Sequence, residues 1–260
     1  MKSSTAQLIK ATLSMYFVCL RTSLVYLAKN PLFVVFSVVA FLLYKAASTF
    51  FAPFGFGGGF LVGFIEIALL AYFYSWLADI RTGEKLVLDS FLRFDYGMFF
   101  NAISVAFIIF LVRFFVMSVA QGSGNQIILM CFDLGVLLIF NAVPEVVVIH
   151  RFEGINALSH ALTFTRDNWI EWYLPYVLII APVILALHAD SLAVIAMTNP
   201  LLPVYPIVLS PLYFLKGHFA LLAQLFGVVL ACWFMIFRSL LFEKLESGTR
   251  RQRAFQAKFE

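Results

Sequence analysis

Six apolar stretches of about 20 residues, at 31–51, 60–80, 98–120, 127–149, 169–189 and 219–242, constrain this chain more than any other feature. A helix rises about 1.5 Å per residue, so about 20 apolar residues match the ~30 Å hydrocarbon core of a bilayer. Of the 260 residues, 63% are hydrophobic and only 12% are charged. A soluble domain carries about a quarter charged residues and has too little interior to hide so much apolar surface. The 31 Phe suit lipid-facing helices and interfacial belts. The fold class expected is all-α: a polytopic membrane protein with six transmembrane helices, each satisfying its own backbone hydrogen bonds within lipid.

The links between these stretches divide by charge. Segments 52–59 and 121–126 are Gly-rich and carry no charge. Lys2, Lys10, Arg21 and Lys29 precede the first stretch, Arg81, Lys85 and Arg93 follow the second, and Arg151 and Arg166 follow the fourth. Lys244, Arg250, Arg251, Arg253 and Lys258 follow the sixth, with Lys216 the exception on the other side. Cytoplasmic loops carry the excess of Lys and Arg, so both termini are expected in the cytoplasm. Lys10 and Arg21 interrupt the first 29 residues, which do not read as a cleavable signal. The net charge of +4 then reports loop orientation and contact with anionic lipid, and does not imply nucleic acid. Segment 191–215 is apolar but holds Pro200, Pro203, Pro206 and Pro211. Four prolines disrupt a lipid-exposed helix, so it is expected as an external cap or re-entrant loop.

The cytoplasmic connections are amphipathic. Ile9, Leu13, Tyr16, Leu20, Leu24 and Leu27 recur every three or four residues, with Gln7, Lys10, Ser14 and Arg21 on another face. Ile155, Leu158, Ala161 and Leu162 form a second stripe, and Leu88, Phe91 and Leu92 a shorter third. Such helices lie in the headgroup plane. Each precedes a pair of apolar stretches, which divides a single membrane domain, 1–248, into modules of about 1–82, 83–153 and 154–248, followed by a basic tail, 249–260. The even-numbered stretches run into Arg81-Thr82-Gly83, Arg151 to Gly154 and Lys244 to Gly248, each a cation near a helix end followed by a permissive stop. A threefold repeat of interfacial helix and hairpin is the expectation.

Charged residues inside apolar stretches are functional candidates by default. Lys45, Glu66, Arg113 and Asp133 all fall about 9–11 Å from the outer ends of their stretches, and Gln224 takes the corresponding place in the third module. They suit either a polar pocket between helices or structural bridges across them. Asn141, Pro144 and Glu145 interrupt the fourth stretch, and Pro175 and Pro182 the fifth. Gly59 and Gly63 form a single GxxxG that would allow close helix approach. Arg250, Arg251, Arg253 and Lys258 suit anionic lipid or a partner. His150, His160, His188 and His218 divide between the two sides, and Ser159-His160 has no evident acidic orienter. Cys19, Cys131 and Cys232 lie far apart, and no HExxH, GxSxG or Walker pattern is present. No catalytic residue, metal or cofactor is therefore expected.

Val143-Pro144-Glu145 running to Ile149, then Gly154, Ala157-Leu158, Ala161-Leu162 and Asn168-Trp169, resembles a bacterial group of six-helix inner-membrane proteins. These are related to the membrane domain of glycerophosphodiester phosphodiesterases and include the YciC type. The resemblance covers about residues 140–185. It implies an inner-membrane location and a role in envelope or lipid upkeep. The chain has nothing resembling the soluble phosphodiesterase barrel, so that catalysis does not carry over. The expected function is assembly with partner proteins, further copies or membrane lipids; a permease-like subunit is the alternative. Lys45→Met and Glu66→Gln separate pocket from bridge: lost transport with normal folding marks a pocket, and lost stability marks a bridge.

Overall fold

The computed structural model describes residues 2–187 and 218–248. They form α1 (Lys2–Lys29), α2 (Pro31–Phe51), a 3-10 turn (Ala52–Phe54), α3 (Gly55–Arg81) and a second 3-10 turn (Leu88–Phe91). Then come α4 (Tyr96–Ser123), α5 (Gln126–Ile139), α6 (Val143–His150), α7 (Gly154–Leu187) and α8 (His218–Glu246). No strand occurs among the described residues. Among the described residues, Lys10–Lys29, Pro31–Arg81, Tyr96–Ser123 and Leu225–Glu246 are long and apolar enough to cross a membrane, and α5 with α6 passes the same test together as a bent pair, either a broken span or a re-entrant loop. The 51 residues of Pro31–Arg81 fold back on themselves, because Phe33 near the start of α2 stacks on Phe73 near the end of α3. The architecture is that of an all-α chain compatible with a multi-pass membrane protein.

Local chemistry sets the breaks. Pro31 opens α2, where its missing N–H would have no intrahelical partner anyway. Asp95 caps α4 by accepting from Met98 N at 3.0 Å, and Asn125 caps α5 by accepting from Ile127 N at 3.0 Å. The fourth apolar stretch is two helices. They meet at 40° across residues 140–142, and Pro144 sits in the first turn of α6. The second amphipathic stripe and the fifth apolar stretch run together as α7, and Asn168 alone within it leaves helical geometry (φ −122°, ψ 17°). Its Nδ2 donates to Phe164 O at 3.2 Å.

Three expectations change. The expected stripe on α1 splits: Leu13, Leu20 and Leu24 face outward, while Tyr16 and Leu27 pack on the core. Cys19, Ser23 and Tyr26 pack on the bundle beside them, and Asn30, which precedes α2, is buried as well. In lipid the apolar residues belong outside, and small or polar ones face neighbouring helices. The interfacial helix of the second module is only the turn Leu88–Phe91, with Leu88 and Leu92 exposed and Phe91 stacked on Phe36. Finally, nothing among the described residues lies within 4 Å of a Cβ built on Gly59 or Gly63, so the GxxxG does not serve packing among them. The close approach is at Gly58, where a Cβ would run into the Phe51 carbonyl. Residues 191–215, with His188, Asp190, Lys216, Arg250, Arg251, Arg253 and Lys258, lie outside the described residues.

Packing is uneven along the helices. The largest fully buried side chains, among them Trp172, Arg238, Tyr74, Phe33, Phe234 and Phe242, gather toward the end where Arg81, Arg151 and Lys244 lie. Toward the other end Phe50, Phe56, Phe60, Phe114 and Phe115 are exposed. α8 is central, packing on α1, α2, α3, α6 and α7. At the basic end α1 meets several elements in turn. Tyr16 donates to Glu171 O at 2.6 Å, and Asn30 accepts from Leu86 N at 2.9 Å. Gly58→Ala should cost about 1–3 kcal/mol through overpacking, while Gly59→Ala should leave stability unchanged or slightly higher. Thermal unfolding in detergent checks both.

Candidate functional site

The break between α5 and α6 exposes backbone groups that a continuous helix would satisfy, and the neighbouring helices supply partners. Phe140 O accepts from Val143 N at 3.1 Å. The Tyr173 hydroxyl donates to Leu138 O. Arg238 Nη2 donates to Asn141 O at 2.7 Å. Where such backbone groups are buried, as at Asn141, they cannot turn to water, and side chains from α7 and α8 take that role.

Arg238 also holds Glu145. Its Nε donates to Oε1 at 2.7 Å and its Nη2 to Oε2 at 2.6 Å, with the two side chains 1% and 0% exposed. Asn141 lies in the break and Glu145 in the first turn of α6, so Arg238 on α8 meets the backbone carbonyl of the one and the carboxylate of the other. Trp172 Nε1 donates to Asn141 Oδ1 at 3.1 Å. The guanidinium carbon lies 4.9 Å from the Trp172 ring centroid and 5.0 Å from that of Tyr176, so two aromatic faces flank the charge. Arg238 Nη1 and the hydroxyls of Tyr176 and Ser239 are buried without a hydrogen-bond partner among the described residues. The site is thus a buried bidentate ion pair with one donor to spare. It can hold helices together, or present that donor to a polar group.

The sequence-predicted residues are brought together only in part. Arg113 and Asp133 pair bidentately, Nε to Oδ1 at 2.9 Å and Nη2 to Oδ2 at 3.0 Å, across the α4–α5 hairpin. The Arg113 side chain is 46% exposed and that of Asp133 12%, so the pair is a surface feature rather than a pocket. Lys45 Nζ lies 5.1 Å from the Phe41 ring centroid. Glu66 lies on α3 and Gln224 on α8. Asn141, Pro144 and Glu145 fall at the observed break. Pro175 and Pro182 lie inside α7, whose one non-helical residue is Asn168.

Sequence reasoning missed Arg238. It falls within the sixth apolar stretch close to its basic end, where a lone Arg reads as snorkelling; its signal was a second charge at the level of Glu145. A second cluster was missed at the basic end. His160 does have an acidic partner, since its Nε2 lies 2.8 Å from Glu246 Oε1, while His150 Nε2 lies 2.8 Å from Oε2. Around it, Arg151 Nη1 pairs with Asp95 at 3.0 Å and Arg81 Nη1 with Glu243 at 3.1 Å. Asn101 Nδ2 donates to Arg151 O at 2.9 Å, and Ser104 Oγ accepts from Gly154 N at 2.8 Å. These bonds pin the α6–α7 turn to α4.

Removing one partner of a buried ion pair strands the other charge, at about 3–5 kcal/mol. Glu145→Gln and Arg238→Met should each lower the unfolding midpoint sharply, and the double variant should recover most of the loss. A double-mutant cycle in detergent measures the coupling. Comparison with protein-family models, with curated proteins and with solved structures finds no match, so the functional reading stands on this geometry.

Proposed function

We propose that the chain is a non-catalytic inner-membrane protein of six spans, with both termini cytoplasmic, that acts by assembling with a partner protein or further copies of itself among membrane lipids. In this reading α1 and the first half of α7 lie at the cytoplasmic interface, the three modules repeat the order of interfacial segment and hairpin, and the basic tail meets anionic lipid. The Val143–Trp169 resemblance supports the inner-membrane location and a role in envelope or lipid upkeep.

The observation that carries it is the Arg113–Asp133 pair. It is half-exposed on its Arg side and lies about 10–15 Å from the near ends of α4 and α5, among exposed Phe107, Phe110, Phe114 and Phe115. A charge facing hydrocarbon costs several kcal/mol, which a covering surface with polar groups would offset. The outward Gly59 and Gly63 would also let a second helix approach closely.

A permease-like subunit is the second reading. It is favoured by the unpartnered Arg238 Nη1 beside a broken helix, an arrangement suited to a polar solute. Native mass spectrometry from mild detergent distinguishes the two. A stoichiometric partner or oligomer is expected, and Arg113→Leu combined with Asp133→Leu should lower its yield at least about tenfold with unchanged melting. A strictly monomeric wild type that is stabilised by a solute overturns the assembly reading.

A further inference from the structure

We infer that His150, His160 and Glu246 form a binding site for a divalent transition metal, of the zinc class, that clasps three helix segments at the basic end. The three residues come from the last position of α6, the second turn of α7 and the last position of α8. They are 86 and 96 residues apart in pairs with Glu246, so only the tertiary fold brings them together. Both imidazoles present Nε2 to the same carboxylate, at 2.8 and 2.8–2.9 Å, and all the donor atoms lie within 4.8 Å of one another.

The donor set is chemically specific. Two imidazole nitrogens and one carboxylate are the ligands of open zinc and related sites, which leave a position for water or a further ligand. A metal at about 2.0–2.1 Å from each donor needs donor separations of roughly 3.3–3.4 Å in tetrahedral geometry, within reach of side-chain rotations of about 1 Å. The ring centroids of His150 and His160 are 4.8 Å apart, and Phe152 stacks on His150 at 5.3 Å, which limits both imidazoles to nearby rotamers.

Electrostatics also asks for a cation here. α6 ends at His150 and α8 at Glu246, so the negative ends of two helix dipoles converge on one point. Glu246 adds a full negative charge at the wrong end of its own helix, where a carboxylate is disfavoured unless a cation offsets it. Its neighbour Glu243 is offset by Arg81, and the two imidazoles are what the fold supplies to Glu246. The side chains are 28%, 34% and 29% exposed, so an ion can reach them from the aqueous side. Binding would tie α6, the amphipathic half of α7 and α8 together beyond the hydrogen bonds alone.

The test uses the full chain in detergent, stripped of metal, with Zn²⁺ in calorimetry and Co²⁺ in absorption spectroscopy. One equivalent should bind, the Co²⁺ complex should show visible ligand-field bands, and the melting temperature should rise. Glu246→Gln and His160→Ala should each weaken binding at least about a hundredfold, whereas Glu243→Gln, one turn away, should bind as wild type. Absence of binding and of a Co²⁺ spectrum in the wild type overturns the proposal. So does Zn²⁺ affinity that is unchanged in Glu246→Gln, even if other variants fail to fold.

Discussion

A guanidinium and a carboxylate, sealed from water among aromatic rings, are what the rest of the described structure is arranged around. Each ion costs several kcal/mol to desolvate, and their attraction offsets this only with near-ideal geometry and satisfied surroundings. Arg238 and Glu145 supply the geometry through two parallel hydrogen bonds, and a third runs to the backbone of Asn141, while Arg238 Nη1 is buried without a partner among the described residues. Asn141 in turn accepts from Trp172. One side chain on α8 thereby fixes the angle between α5 and α6, the rotation of α7 and its own depth. The broken helix and the ion pair are two sides of one arrangement, since the break places Asn141 O where Arg238 can take it.

Around this network the chain is dense at one end and open at the other. Near the pair, Phe164, Trp172 and Phe242 stack and cross, and Tyr74, Leu77, Met98 and Met235 fill the remaining space. Away from it, exposed phenylalanines line α2 to α4. Hydrocarbon is as apolar as these side chains, so it gives no drive to bury them. Close packing and polar bonds decide where helices meet. The face of α1 obeys the same rule, turning Cys19 and Ser23 inward and Leu13, Leu20 and Leu24 out.

Helix positions were legible because span length and apolarity are set by local composition. α2 occupies the residues expected, 31–51, and the break falls where Asn141, Pro144 and Glu145 interrupt the fourth stretch. What stayed hidden depends on how faces are turned. An apolar stripe marks a buried face in water but an outer face in lipid, so periodicity alone does not say which part of the α1 stripe packs on the bundle. The pairing of Arg113 with Asp133 could be anticipated from two opposite charges on one hairpin. The pairings of Arg238 with Glu145 and of Glu246 with two histidines could not. They join residues 86–96 apart through the central placement of α8, which no local pattern encodes.

The central position of α8 bears on how the protein is made. Arg238 is synthesised 93 residues after Glu145. During that interval the carboxylate, the carbonyl of Asn141 and the indole of Trp172 must be accommodated without the guanidinium that organises them. A chain inserted one hairpin at a time therefore passes through a stage in which its interior is assembled around an uncompensated acid.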